Sequence, residues 1–171
     1  MLGVFGGVSL SIKLIVNGGI PADISIIKSV VPPCEIRFEL AEKLFQKKIA
    51  KYFYLVCGPN NKGISKKIIE LSKKEYFIDC SNLNLLEIIK IILDSKFFIG
   101  NNSGPLNLSA ALNVKSYGLI ANSPASQLKY SNIKIITPDA YTDNVFNKDR
   151  NEMRKLTVDK VFNSITMGMR F

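Results

Sequence analysis

From Phe97 to Leu112 the chain reads FFIGNNSGPLNLSAAL, and no other stretch restricts its fold so tightly. A short apolar run stops at Gly100, small and turn-forming residues follow, and an Ala/Leu-rich helical pattern starts at once. The run suits one buried strand, and the pattern after Pro105 suits a helix that begins there. A strand that enters a helix through so tight a turn leaves the first helical N–H groups without partners inside the helix. Together with the positive end of the helix dipole, those donors make a place for a phosphate or another anion.

The remaining chain repeats this strand-to-helix order. Strands are predicted at residues 11–16, 52–56, 76–79, 96–99, 115–120 and 133–137, with a short apolar piece around Ile26 and Ile27. Helices are predicted at 35–50, 62–73, 85–95, 104–113 and 158–165. In the first helix Leu40, Ala41, Leu44 and Phe45 share one face, and in the second Ile64, Ile68 and Leu71 point inward. The third is apolar nearly all round apart from a stripe of Glu87, Lys90 and Asp94, spaced to pair with one another, which predicts burial on most sides. Residues 138–155 read as polar and irregular.

Strands alternating with helices over short connections require a mainly parallel sheet with right-handed crossovers, an α/β, Rossmann-like three-layer domain. Ligands of such sheets bind beyond the C-terminal ends of the strands. Three loops rich in small polar residues meet that condition: Gly58 to Asn61, Gly100 to Gly104, and Ala121 to Pro124.

Composition narrows the chemistry. The 171 residues suffice for one domain with a full core. With no histidine, the chain has no Ser-His-Asp or Cys-His catalysis and no histidine metal ligand. Cys34, Cys57 and Cys80 are too widely spaced for a CxxC metal site and odd in number, so they read as free thiols of a reducing compartment. The net charge of +9 comes largely from lysines on predicted helix faces, without the arginine arm or aromatic–basic ladder of a nucleic-acid binder. The apolar N-terminus lacks a basic leader region and is broken by Gly3, Gly6, Gly7 and Lys13; it reads as strand and turn rather than as a signal peptide. A cytoplasmic protein is the expectation, and its basic charge could assist contact with the inner face of the cytoplasmic membrane.

The segment FFIGNNSGPLNLSAALNVKSYGLI resembles the signature of glycosyltransferase family 9, the ADP-heptose:lipopolysaccharide heptosyltransferases. In that family a strand enters a loop of the type G-N-D-S-G-P-x-H, followed by an L-A-A-A-L helix. YFYLVCGPNN is similar to the family's strand ending in G-G-P, and Leu85-Leu86-Glu87-Ile88-Ile89 to the helix before the signature strand. Pro32-Pro33-Cys34-Glu35 with Leu40-Ala41 resembles the entry into its first helix.

The resemblance implies the C-terminal, donor-binding half of a two-domain GT-B enzyme that transfers a sugar from a nucleotide-sugar donor to a cell-envelope glycan. The donor would be of ADP-heptose type, the acceptor a glycan of lipopolysaccharide-core type or a lipid-linked one, and no metal cofactor is expected. Residues 1–34 would be an N-terminal strand and loop segment, 35–137 the nucleotide-sugar-binding core, and 138–171 a polar loop and closing helix. Ser103 and Gly104 would hold the diphosphate by loop and helix-terminal N–H groups, Asn102, Pro105 and Asn107 would also belong to the donor site, and Gly58, Pro59 and Asn61 would border the nucleoside. Gly6-Gly7-Val8-Ser9 is similar to the family's glycine-rich loop, which would make Lys13 a cation for the diphosphate.

Two departures bear on catalysis. The family's loop aspartate is Asn102 here and its histidine is Asn107. The half that carries the acceptor's general base in the family finds no match, leaving Asp79 and Glu87 as candidate bases by elimination. A partial chain is therefore expected, with a noncatalytic nucleotide-sugar-binding domain, or half of a split enzyme completed by an acceptor-domain chain, as the alternative.

Overall fold

A computed structural model describes residues 8–14, 22–29, 34–57, 62–72, 74–121, 123–143 and 152–169. The strands are β1 (Val8–Leu14), β2 (Ala22–Ser29), β3 (Tyr52–Cys57), β4 (Phe77–Asp79), β5 (Phe98–Asn101), β6 (Ser116–Leu119) and β7 (Ile133–Ile136). The helices are α1 (Cys34–Gln46), α2 (Lys62–Ser72), α3 (Leu85–Leu93), α4 (Gly104–Ala111) and α5 (Val158–Met167). One sheet runs in the order β4-β3-β1-β5-β6-β7, with β2 also paired to β1.

β3 and β4 pair in parallel, as do β5, β6 and β7, and β1 is antiparallel to β2, β3 and β5. All described strands except β1 therefore point the same way, and the sheet is mainly parallel. The parallel neighbours β3/β4 and β5/β6 are each joined through a helix, and β6/β7 through an irregular crossover, as parallel pairing requires.

The alternation of apolar residues shows why both faces are covered. Phe97 and Ile99 pack with Phe53, Leu55, Tyr117 and Ile136 against α1, α2 and α5. Phe98 packs with Val56, Leu106, Ile120 and Ile133 against α3 and α4 on the other side. Successive side chains on a strand face opposite ways, so an unbroken apolar run means a strand buried on both sides. The result is a three-layer α/β domain.

Three expectations change. α3 is not buried on most sides: Ile88 and Ile92 are buried, whereas Leu85, Leu86 and Leu93 are 65%, 71% and 52% exposed. A single helical layer over a sheet can bury only one stripe, and the i, i+4 pair Ile88/Ile92 is that stripe. Glu87 does not join a charge stripe either. It closes a capping box, its Oε2 accepting from the Asn84 N–H at 2.7 Å while Asn84 Oδ1 accepts from the Glu87 N–H at 3.1 Å. Phe45 is 41% exposed and stacks on Tyr76 with ring centroids 4.5 Å apart, outside the stripe of Leu40, Ala41 and Leu44.

Candidate functional site

β5 is buried along its whole length and pairs with β6 as far as Asn101, opposite Leu119. The chain then turns through Asn102 and Ser103, and α4 starts at Gly104 with Pro105 in its first turn. Proline there costs no hydrogen bond, because its missing N–H would have had no helical acceptor. Ser103 stands at the N-cap in extended backbone, but its hydroxyl makes no cap bond. It donates instead to the Asn101 carbonyl at 3.0 Å.

Asn107 closes the first turn with two bonds to the Ser103 carbonyl, from its backbone N–H at 3.1 Å and from Nδ2 at 3.0 Å. The N–H groups of Gly104 and Leu106 remain at the helix start, where no intrahelical acceptor exists for them. Among the described residues nothing would lie within 4 Å of a Cβ added at Gly104, so the space beside that Cα is open.

Asn102 ties this turn to the connection after β6. Its Nδ2 donates to Ser123 Oγ at 3.3 Å and to Gln127 Oε1 at 3.2 Å. That connection, which carries a 3-10 turn at Ala125–Gln127, is gripped in turn by the segment after β7. Asp143 Oδ1 accepts from the Ala125 N–H at 2.5 Å, and the Tyr141 hydroxyl accepts from the same N–H at 2.7 Å. The Tyr141 hydroxyl also lies 2.8 Å from the Ser123 carbonyl and 2.8 Å from Asp143 Oδ1, either of which takes its proton. This hydroxyl bond is the main cause holding the Asp143 carboxyl below the ordinary carboxylate value. Burial first, and the bond to Asp143 second, push the Tyr141 phenol up.

The turn 100–104 and residues 123–127 of the connection after β6 thus meet beyond the C-terminal ends of β5 and β6. Tyr141, Asp143 and Gln127 lie in this cluster too, although residues 138–155 read from sequence as merely polar. The available signal was positional: a segment that leaves β7 at its C-terminal end starts on the same edge as the other two loops.

Gly58, Pro59 and Asn61 lie outside the described residues. Lys13 is not brought to the cluster. It stands within β1, in register with Tyr52 at the start of β3, and hence at the opposite edge of the parallel strands from Asn101. Because β1 runs against its neighbours, its C-terminal end falls where theirs begin.

The two candidate bases have structural duties. Asp79 Oδ1 accepts from the Ser81 N–H at 2.9 Å in the turn after β4, and Glu87 belongs to the capping box of α3.

The family model "Glycosyltransferase family 9 (heptosyltransferase)" matches residues 37–162, which include every element from β3 to β7. The chain belongs to glycosyltransferase family 9. Among solved structures it is similar to E. coli ADP-heptose LPS heptosyltransferase II, with a TM-score of 0.66 and 16% identity over 79% of this chain and 40% of that one. It is also similar to E. coli heptosyltransferase WaaC in complex with ADP-2-deoxy-2-fluoro heptose, with a TM-score of 0.58 and 17% identity over 80% of this chain and 38% of that one. No curated protein sequence matches. These likenesses carry the fold, and the family 9 chain spans about two fifths of the length of either heptosyltransferase. Among the described residues no helix is long and apolar enough to cross a membrane.

Proposed function

We propose that this family 9 chain binds the nucleotide-sugar donor of a heptosyltransferase-type reaction, with the donor's diphosphate at the start of α4. The reading rests above all on the uncapped first turn of α4, with open space at Gly104. Oriented N–H groups at a helix N-terminus stabilise an anion without any side-chain charge. The Gly104 and Leu106 amides would face the diphosphate. Ser103, Pro105 and Asn107 would shape that turn, and Asn102 would anchor it. Gly58, Pro59 and Asn61 would border the nucleoside.

In an inverting transfer the acceptor hydroxyl loses a proton to a base while the C–O bond to the departing diphosphate breaks and negative charge grows on that group. Preorganised donors aimed at the leaving diphosphate lower this barrier, and α4 would supply them. The base would come from the acceptor side, because Asp79 and Glu87 are committed to a turn and a cap. The acceptor would be a cell-envelope glycan of lipopolysaccharide-core type, reached at the inner face of the cytoplasmic membrane.

Those same two bonds favour a second reading, a nucleotide-sugar-binding domain without catalysis of its own. Isothermal titration of the chain with ADP and the other nucleoside diphosphates tests the first premise of both readings. Saturable binding of at least one supports donor binding, and silence across the set at millimolar concentration overturns it. Release of nucleoside diphosphate from a bound nucleotide sugar on addition of glycan acceptor separates an enzyme from a binding domain.

A further inference from the structure

We propose that Tyr141 and Asp143 are positioning residues for the donor loop, acting on Asn102 through the connection between β6 and β7. The proposal rests on the donor-binding reading above. Asp143 Oδ1 accepts from the Ala125 and Ser126 amides at 2.5 and 3.4 Å, and the Tyr141 hydroxyl accepts from the Ala125 amide at 2.7 Å and donates to the Ser123 carbonyl at 2.8 Å. The same short segment presents Ser123 Oγ and Gln127 Oε1, the two acceptors of the Asn102 carboxamide.

Asn102 immediately precedes the Ser103 N-cap, so its placement sets where the first amides of α4 point. Apart from this grip, the backbone bonds of the segment among the described residues are local: Gln127 N–H to the Pro124 carbonyl at 3.3 Å and Leu128 N–H to the Ala125 carbonyl at 2.9 Å. Hydrogen bonds at an exposed carboxylate exchange readily with bonds to water, so they add little to global stability. They do fix a geometry before a ligand arrives, and that lowers the ordering cost of binding. Tyr141 and Asp143 therefore act on affinity more than on melting temperature.

The test uses the full chain as wild type, Tyr141→Phe, Asp143→Ala and Asp143→Asn. Its readouts are ADP affinity by titration, melting temperature, and the NMR signals of the Asn102 carboxamide. Loss of one neutral hydrogen bond corresponds to about a fivefold change in an equilibrium constant. Tyr141→Phe is expected to weaken ADP by about that factor and Asp143→Ala, which removes bonds to a charged group, by at least as much; both should move the Asn102 carboxamide signals toward those of a free amide. Their melting temperatures should stay within a few degrees of wild type. Asp143→Asn keeps an oxygen acceptor for the Ala125 amide and is expected to restore most of the loss.

Unmoved carboxamide signals in both disruptive variants overturn the proposal. So does a fall in melting temperature with ADP affinity intact, which would make the contacts structural. If wild type binds no nucleoside diphosphate, the donor reading fails and takes the affinity role of these residues with it, whereas binding left unchanged by the variants sinks the positioning role alone.

Discussion

A Cβ placed on Gly168 would sit 2.8 Å from the hydroxyl of Tyr117, closer than two such atoms can approach. Tyr117 is fully buried in β6, and its hydroxyl donates to the Ile165 carbonyl of α5 at 3.3 Å. The end of α5 is drawn onto the sheet there, with Lys115 bonding the Gly168 carbonyl and Lys134 Nζ the Ser164 carbonyl at 2.9 Å. Gly168→Ala is expected to destabilise the fold by about 1–3 kcal/mol, as overpacking in a filled site does. Tyr117→Phe in that background should recover part of the loss. Chemical denaturation of the two single variants and the double variant measures the coupling, and strict additivity would contradict the steric account.

Burial pushes the Tyr117 phenol up to about 12, so the folded state holds that proton more tightly than the unfolded chain, whose tyrosines titrate near the ordinary 10.0. The resulting stability is complete below the unfolded value and is lost as pH rises from there through the folded one. Phenolate absorbance in wild type is expected to contain a component that appears together with alkaline unfolding and is absent from Tyr117→Phe. An unchanged titration in that variant would count against it.

α3 offers a direct contrast between a residue inside the stripe and one outside it. Ile92 is fully buried, whereas Leu86 is 71% exposed. Ile92→Ala should cost about 2–5 kcal/mol, the usual range for a deleted core side chain, and Leu86→Ala within about 0.5 kcal/mol of zero. Equal losses in urea denaturation would mean that α3 is covered on both sides.

At Gly104 the described residues offer no contact for a side chain to break. Gly104→Val is expected to abolish nucleotide binding, because its branches enter the space over the α4 amides. The melting temperature should stay within a few degrees. Binding that survives this substitution removes the diphosphate from the start of α4.

The Asp143 grip carries its own pH dependence. Its carboxyl is held below the ordinary value of 3.8, chiefly by the Tyr141 hydroxyl. The folded value is depressed, so the contribution is present above the unfolded value and disappears as pH falls through the folded one. The Asn102 carboxamide signals should therefore hold steady down to the ordinary carboxylate range and shift only in stronger acid. A shift centred above that range contradicts the assignment.

The parts of this fold that were legible in sequence are those set by local pattern. Phe97-Phe98-Ile99 announced a strand buried on both faces, and Gly104-Pro105 announced a helix start, because each follows from chemistry between near neighbours. Parallel order followed from alternation and connection length. The direction of β1 did not, since it is fixed by pairing with β3 and β5, far away in the chain, and that is why Lys13 falls at the opposite sheet edge from Asn101. The exposure of Leu85 and Leu86 was equally hidden: an all-apolar helix looks the same in sequence whether one stripe or three are covered. The links from Asn102 to Gln127 and from Tyr141 to Ser123 span 25 and 18 residues, beyond the reach of any local pattern.

Amide NMR of the wild-type chain under ADP titration bears most directly on the central claim. The account predicts saturable shifts in the Gly104 and Leu106 amides, with smaller ones at Asn102 and Ser103 and none at the opposite sheet edge around Lys13. Saturable binding that leaves Gly104 and Leu106 unmoved would contradict it.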